Sequence, residues 1–103
     1  MDINKKLRNI PVDYRKDIQK AVEILKKAGI KEIYLFGSFA KKEYNENSDI
    51  DIAVVGLNPK KYYRIYGELM MNLDHDIDLI KLDDKNSRFS KFIKEEEVLL
   101  KIA

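Results

Sequence analysis

Apolar residues recur at spacings of three and four between residues 13 and 28, which is the repeat of an amphipathic helix. The positions that make up this repeat are Tyr14, Ile18, Ala21, Val22, Leu25 and Ala28. Pro11 and Asp13 stand where a helix begins, and Gly29 stands where one ends. We therefore predict a helix over residues 13–28.

Three short apolar runs, rich in β-branched and aromatic residues, predict buried strands. They cover residues 31–36, 50–55 and 77–82. Because segments with a helical repeat separate these strands, we predict a layered α/β (α+β) domain in which helices pack on one sheet. The sequence shows neither an internal repeat nor a linker, so a single domain is expected over residues 1–103.

The other helical segments are marked by shorter signals. Asn58 supplies a capping side chain and Pro59 suits the first turn of a helix. The helical spacing then continues through Tyr62, Ile65, Tyr66, Leu69 and Leu73. A short helix is predicted over residues 39–43 and a last one from Phe89, with residues 98–102 forming a tail packed onto the body.

Composition narrows the possible chemistry. The 103 residues include 20 Lys and Arg and 18 Asp and Glu, and the resulting net charge of +2 is too small to argue by itself for nucleic acid, which is not expected as a partner. The chain has no cysteine and a single histidine, His75, which excludes thiolate and multi-histidine metal sites. A polar N-terminus and the lack of long apolar runs predict no signal peptide, no membrane span and a cytoplasmic location.

Three aspartates next to apolar residues carry the strongest chemical signal. Asp49 and Asp51 are two residues apart and project to one face of a strand, and Asp78 can meet them if its strand is a neighbour. Carboxylates gathered in this way repel one another unless a cation compensates. Oxygen ligands without histidine or thiolate favour Mg²⁺ or Mn²⁺, and two ions could clamp the attacking and leaving oxygens of a phosphoryl transfer. The third carboxylate could also accept the proton of the attacking hydroxyl.

A second candidate element, Gly37-Ser38, follows the first predicted strand. Glycine lets a phosphate approach the backbone, and Ser38 can donate a hydroxyl hydrogen bond, with its amide favouring an anion if it opens a helix. Lys41 and Lys42 could neutralise the remaining charge of a triphosphate. The spacing is not that of a Walker A loop.

Together these elements resemble the DNA polymerase β-type nucleotidyltransferase superfamily, and more narrowly its single-domain minimal nucleotidyltransferases. The similarity extends from about residue 14 to residue 100. Its three parts occur in the expected order, each at a strand end: Gly37-Ser38-Phe39-Ala40, Ser48-Asp49-Ile50-Asp51-Ile52-Ala53-Val54-Val55 and Asp78-Leu79-Ile80.

The resemblance implies a nucleotidyltransferase fold with a mixed three-stranded sheet as its core. It implies metal binding by Asp49, Asp51 and Asp78, and triphosphate binding by Gly37 and Ser38. Members of the minimal family often pair with an all-helical HEPN-domain protein in toxin–antitoxin modules, and some transfer AMP from ATP to a tyrosine of the toxin. The leading hypothesis is therefore Mg²⁺-dependent transfer of AMP to a HEPN-like partner.

Two departures from the family pattern support an alternative. Lys41-Lys42 stand where the family commonly has Arg-Gly, and Phe39 stands where it often has arginine. Lysine keeps the charge but lacks the bidentate fork of arginine. A weakly active or inactive antitoxin that neutralises a HEPN toxin by binding alone is thus the second hypothesis. A third is an enzyme acting on small molecules or RNA ends, against which the lack of an obvious second substrate lobe counts.

Other residues near the motif are expected to have structural roles. Asp76 lies on the same strand face as the third aspartate of the motif and is a rival for it, although family position disfavours Asp76. His75 is predicted to be a surface or loop histidine. The neighbouring tyrosines are expected to pack partly into the core and to leave the rest of each side chain exposed, although their rings could stack a base. These tyrosines are Tyr62, Tyr63 and Tyr66.

Overall fold

The computed structural model describes residues 7, 10–37, 49–82 and 100–103. The elements in chain order are α1 (Val12–Lys27), β1 (Glu32–Phe36), β2 (Ile50–Val55), a 3₁₀ turn (Pro59–Lys61), α2 (Tyr62–Asn72), β3 (Ile77–Lys81) and β4 (Leu100–Lys101). The first predicted helix and the three predicted strands are confirmed to within one residue at each end. The predicted helices over residues 39–43 and from Phe89 lie outside the described residues.

The strands form one mixed sheet in the order β3-β2-β1-β4. Strand β1 is antiparallel to both of its neighbours, and β2 is parallel to β3. The expectation of three strands was wrong, because the C-terminal tail adds β4 by pairing with Tyr34 and Leu35 of β1. Ile102 N–H donates to Ile33 O at 2.9 Å, so the tail supplies partners to the outer edge of β1.

The two faces of the sheet differ in what covers them. Alternate strand residues point toward α1 and α2 and form the main core. From the strands, this core receives Ile33, Leu35, Ile50, Ile52, Val54, Ile77 and Leu79. The opposite face holds a smaller apolar cluster around Phe36, Ala53 and Leu82. Strand alternation places Asp51 and Asp78 on this second face, away from α1 and α2.

A left-handed glycine ends α1 as the sequence predicts. Gly29 has a φ of 88°, a value that side chains with a Cβ rarely adopt. Its N–H donates to Lys26 O at 3.0 Å, and Ile30 N–H donates to Leu25 O at 3.1 Å. These two bonds satisfy carbonyls of the last helical turn and turn the chain directly into β1.

Helix α2 shields the outer edge of β3, which is the end strand of the described sheet. It follows the 3₁₀ turn, where Asn58 Oδ1 accepts a hydrogen bond from Lys60 N–H. Tyr62 Oη donates to Leu79 O at 2.5 Å, and Tyr66 Oη donates to Ile77 O at 3.0 Å. These carbonyls face away from β2, so the two hydroxyls occupy acceptors that would otherwise leave the edge open to another strand.

A buried carboxylate ties α1 to the turn that precedes β3. The side chain of Asp17 is 2% exposed, and its Oδ2 accepts hydrogen bonds from the backbone N–H groups of Asp74 and His75, each at 2.9 Å. The Nδ1 of His75 lies 2.6 Å from the same oxygen, and the ring stacks on Tyr14 with centroids 3.8 Å apart. His75 is in a loop, as expected, but only 19% of its side chain is exposed. No helix in the described part of the chain is both long and apolar enough to cross a bilayer.

Replacing Asp17 by alanine is expected to lower the free energy of unfolding by about 3 kcal/mol, because two backbone donors and the imidazole of His75 lose their buried acceptor. Urea denaturation measures the change. Asp13→Ala is the matched control, since the Asp13 side chain is 67% exposed and lies 3.5 Å from the other ring nitrogen of His75. Its expected cost is about 0.5 kcal/mol or less. Equal losses in the two variants would contradict the role of Asp17.

The hydroxyl of Tyr62 should make stability fall at alkaline pH. Burial, together with the nearby Tyr66, Tyr63 and Asp78, raises the pKa of Tyr62 above its ordinary value of 10.0. The folded state thus keeps a proton that the unfolded chain loses, so this contribution is complete below pH 10 and is lost as the pH rises through the pKa of the folded state.

The Tyr62→Phe variant should be about 1 kcal/mol less stable than the wild type near pH 7, with the difference shrinking above pH 10. Chemical denaturation at a series of pH values measures it. Tyr63→Phe serves as the control, because Tyr63 is 85% exposed. A difference between wild type and Tyr62→Phe that stays constant through this pH range would contradict the assignment.

Candidate functional site

The register of β2 and β3 places two aspartates side by side. Asp51 and Asp78 are direct partners in the parallel pair, as are Ile50 and Ile77 before them. Adjacent strands lie about 4.8 Å apart, and paired residues of parallel strands point to the same face. The two carboxylates therefore project together from the sheet face that α1 and α2 leave uncovered. Asp51 is partly buried and Asp78 is exposed.

Gly37 brings backbone against the Asp51 carboxylate. Strand β1 ends at Phe36, which pairs with Asp51, and the chain then turns at Gly37 with a φ of 67°. A Cβ added at Gly37 would overlap Oδ2 of Asp51 and lie 3.1 Å from its Cγ. Only glycine therefore allows this approach without moving the carboxylate.

Asp49, the third predicted carboxylate, lies outside the strand pairing that joins Asp51 to Asp78. Asp49 is exposed and lies just before β2. Within residues 10–37, 49–82 and 100–103, no three acidic or histidine side chains gather closely enough to hold a metal ion. Ser38, Lys41 and Lys42 lie outside the described residues, and their predicted roles in nucleotide binding remain predictions.

The rival aspartate, Asp76, has a backbone role. Its carbonyl accepts a hydrogen bond from Ile50 N–H at 2.9 Å, which starts the β2–β3 pairing, and its side chain is exposed. The position of this residue before β3 leaves Asp78 as the partner of Asp51.

The donor atoms of the site fit a small divalent cation. Two carboxylates at neighbouring register positions repel each other, and a cation placed between them would offset that repulsion. Carboxylate oxygens are the ligands preferred by Mg²⁺, and Mn²⁺ accepts the same donors. Asp51 and Asp78 could therefore hold such an ion, with Asp49 close in sequence as the candidate third ligand.

An open groove adjoins the aspartate pair at the edge of the sheet. Its volume is about 560 Å³, and it lies between α2 and β3; we call it the α2–β3 groove. The residues lining it are Tyr62, Tyr63, Tyr66, Asp78, Leu79 and Ile80. Partial exposure of these tyrosines is expected from the sequence, but their position beside Asp78 is not.

The buried carboxylate of Asp17, which anchors the turn before β3, is not among the residues predicted from the sequence. A signal for it was present, because Asp17 lies on the inward face of α1, between Tyr14 and Ala21 in the apolar repeat. A carboxylate at such a position needs buried donors, which the turn at His75 supplies.

Comparison with known proteins gives several similarities. Over 37 residues, the chain is 51% identical to the Methanocaldococcus jannaschii protein named "Putative protein adenylyltransferase MJ1547"; the match spans 36% of this chain and 30% of that protein. Among solved structures, a chain of a toxin–antitoxin complex with AMP-PNP superposes with a TM-score of 0.65 at 26% identity, covering 82% of this chain and 71% of that one. A chain of the complex between tri-AMPylated Shewanella oneidensis HEPN toxin and MNT antitoxin gives a TM-score of 0.52 at 29% identity, covering 68% and 56%.

The sequence profile described as Polymerase beta, Nucleotidyltransferase matches residues 19–102. This range includes the aspartate pair, the glycine beside it and every strand of the sheet. The fold of the solved neighbours agrees with it. The chain therefore belongs to the polymerase beta nucleotidyltransferase family.

Proposed function

We propose that this protein transfers AMP from ATP to a tyrosine hydroxyl of a HEPN-like partner protein, in a Mg²⁺-dependent reaction in the cytoplasm. The observation that carries the proposal is the pairing of Asp51 with Asp78 beside the backbone of Gly37. Three similar proteins support the proposal. One is named a putative protein adenylyltransferase, one belongs to a toxin–antitoxin complex with AMP-PNP, and one belongs to a complex of an AMPylated HEPN toxin with its MNT antitoxin.

The nucleotide would be held from two sides. In this proposal Asp49, Asp51 and Asp78 bind the metal, while Gly37 and Ser38 seat the β- and γ-phosphates. Lys41 and Lys42 would offset the remaining phosphate charge as point charges. Two Mg²⁺ ions, when bound, would supply charge neutralisation for the triphosphate and for the leaving pyrophosphate.

The transfer itself is a single displacement at the α-phosphorus of ATP. The acceptor oxygen forms a bond to this phosphorus as the bond to the bridging oxygen of the β-phosphate breaks, and pyrophosphate leaves with those electrons. The hydroxyl proton passes to the carboxylate of Asp78, which is exposed and can reach an incoming group. The products are an AMP–tyrosine phosphodiester and pyrophosphate.

Replacing Asp49, Asp51 or Asp78 by asparagine is expected to lower AMP transfer by about a thousandfold while leaving the fold intact, because each change removes a charged ligand. The measurement is label transfer from ATP labelled at the α-phosphate to the HEPN-like partner, with Mg²⁺ present. Asp76→Asn is the matched control and should retain activity. Undiminished transfer in all three variants would refute the assignment.

The same assay separates catalysis from neutralisation by binding alone. Label on the partner would exclude a purely occluding antitoxin. A tight complex that remains unlabelled would favour that second hypothesis instead. Labelling of RNA ends or of a small molecule, without labelling of the partner, would favour the third.

Gly37→Ala is expected to lower transfer by about a hundredfold, because the added methyl group would displace the Asp51 carboxylate. Gly29→Ala is the matched control. Gly29 also has a positive φ, of 88°, but a Cβ there would have no heavy atom within 4 Å. The control should therefore lose about 1 kcal/mol of stability and keep its transfer rate. Equal rates in the two variants would contradict a specific role for Gly37.

A further inference from the structure

The α2–β3 groove is lined by three tyrosine rings, and the hydroxyl groups of two of them are bonded to β3. Tyr62 and Tyr66 donate to carbonyls of β3, and their rings lie 6.1 Å apart at an interplanar angle of 16°. Tyr63 meets Tyr62 edge-on, with centroids 5.4 Å apart and planes at 87°. Because the hydroxyls of Tyr62 and Tyr66 bond to the strand, the groove presents the apolar surfaces of these rings to a ligand.

The charge of the groove disfavours a polyphosphate as its occupant. Among the described residues that line it, the only charged one is Asp78, and there is neither lysine nor arginine. No side chain of this lining would neutralise a triphosphate bound there, so its charge would be offset only by a metal ion held at Asp78. The lining instead suits a neutral, aromatic or apolar group.

The order of the site residues across strands β1, β2 and β3 places the groove on the side from which the acceptor hydroxyl would attack the nucleotide. Strand β2 carries Asp51 between Gly37, at the end of β1, and Asp78 on β3. The groove lies beyond Asp78, at the outer edge. Attacking and leaving oxygens are roughly in line in phosphoryl transfer. If the β- and γ-phosphates lie beside Gly37, the attacking hydroxyl must come from the β3 side.

The surface of α2 extends the groove in a way that suits a polypeptide. Tyr63 is 85% exposed, and Met70, seven residues later on the same helix face, is 57% exposed. Aromatic and methionine side chains are enriched in protein interfaces, whereas charged ones are depleted from interface cores. The exposed stripe begins at the groove and runs along α2.

We infer that the α2–β3 groove is the acceptor site, in which a segment of the partner protein places its tyrosine ring against Tyr62, Tyr63 and Tyr66 and its hydroxyl beside Asp78. This inference rests on the proposed function and names the place where its second substrate binds. The nucleotide base would then bind elsewhere, on the side of Asp51 away from the groove.

The first test uses N-acetyl-L-tyrosinamide as the acceptor probe and α,β-methylene-ATP with Mg²⁺ as the nucleotide probe. In amide NMR spectra, the tyrosinamide should perturb Tyr63, Leu79 and Ile80, whereas the nucleotide should perturb Gly37 and Asp51. The Tyr63→Ala variant should bind the tyrosinamide about fivefold more weakly and the nucleotide within about twofold of the wild type.

Met71→Ala is the control for this variant. Met71 is 89% exposed on the same helix but is not among the residues that line the groove. It should leave both affinities unchanged. Weaker binding of the nucleotide to Tyr63→Ala would show that the groove holds the base and overturn the inference. Failure of the tyrosinamide to perturb the groove residues would overturn it as well.

A second test uses AMP transfer to the HEPN-like partner. Tyr63→Ala should raise the KM for the partner about tenfold and leave kcat and the KM for ATP unchanged, because the ring contributes binding and no chemistry. Unchanged KM for the partner would overturn the inference even if transfer occurs. Binding of the tyrosinamide at the groove without any AMP transfer would refute the proposed function and leave the binding site standing.

Discussion

The parallel pairing of β2 with β3 in one register is the constraint on which the site depends. It sets Asp51 beside Asp78, although two adjacent carboxylates repel each other. Burial of Ile77 and Leu79 under the helices holds the register against that repulsion. A shift by one residue would turn every side chain of β3 to the other face, so that Asp78 would enter the apolar core.

The end strand that carries Asp78 is held at two places by groups from the helices. The Asp17 carboxylate of α1 binds the turn before β3, and the hydroxyls of Tyr62 and Tyr66 bind the outer edge of the strand itself. Both sets of hydrogen bonds are buried or partly buried, and their loss would leave backbone groups without a partner. They therefore position the exposed aspartate without touching it, and leave it accessible to a substrate.

Much of the fold and part of the site could be predicted from local patterns in the sequence. The apolar repeat marked α1 and the apolar runs marked three strands, because burial of one helix face or of a strand imposes a periodicity on the chain. Gly37 and Asp51 were recognisable because few residue types suit a close backbone approach or a cation. By contrast, β4 has only two residues, Leu100 and Lys101, which is too short to show a period, and its pairing depends on the free edge of β1.

The sequence by itself determined α1, the strands β1 to β3 and the choice of carboxylate over thiolate or imidazole chemistry, since composition and periodicity are properties of the chain alone. Tertiary structure alone decided which residues meet. It paired Asp51 with Asp78 across 27 positions of sequence, buried Asp17 against His75, and set the tyrosines of α2 along the edge of β3. These contacts follow from strand order and register, which depend on the packing of the whole domain and which no local pattern specifies.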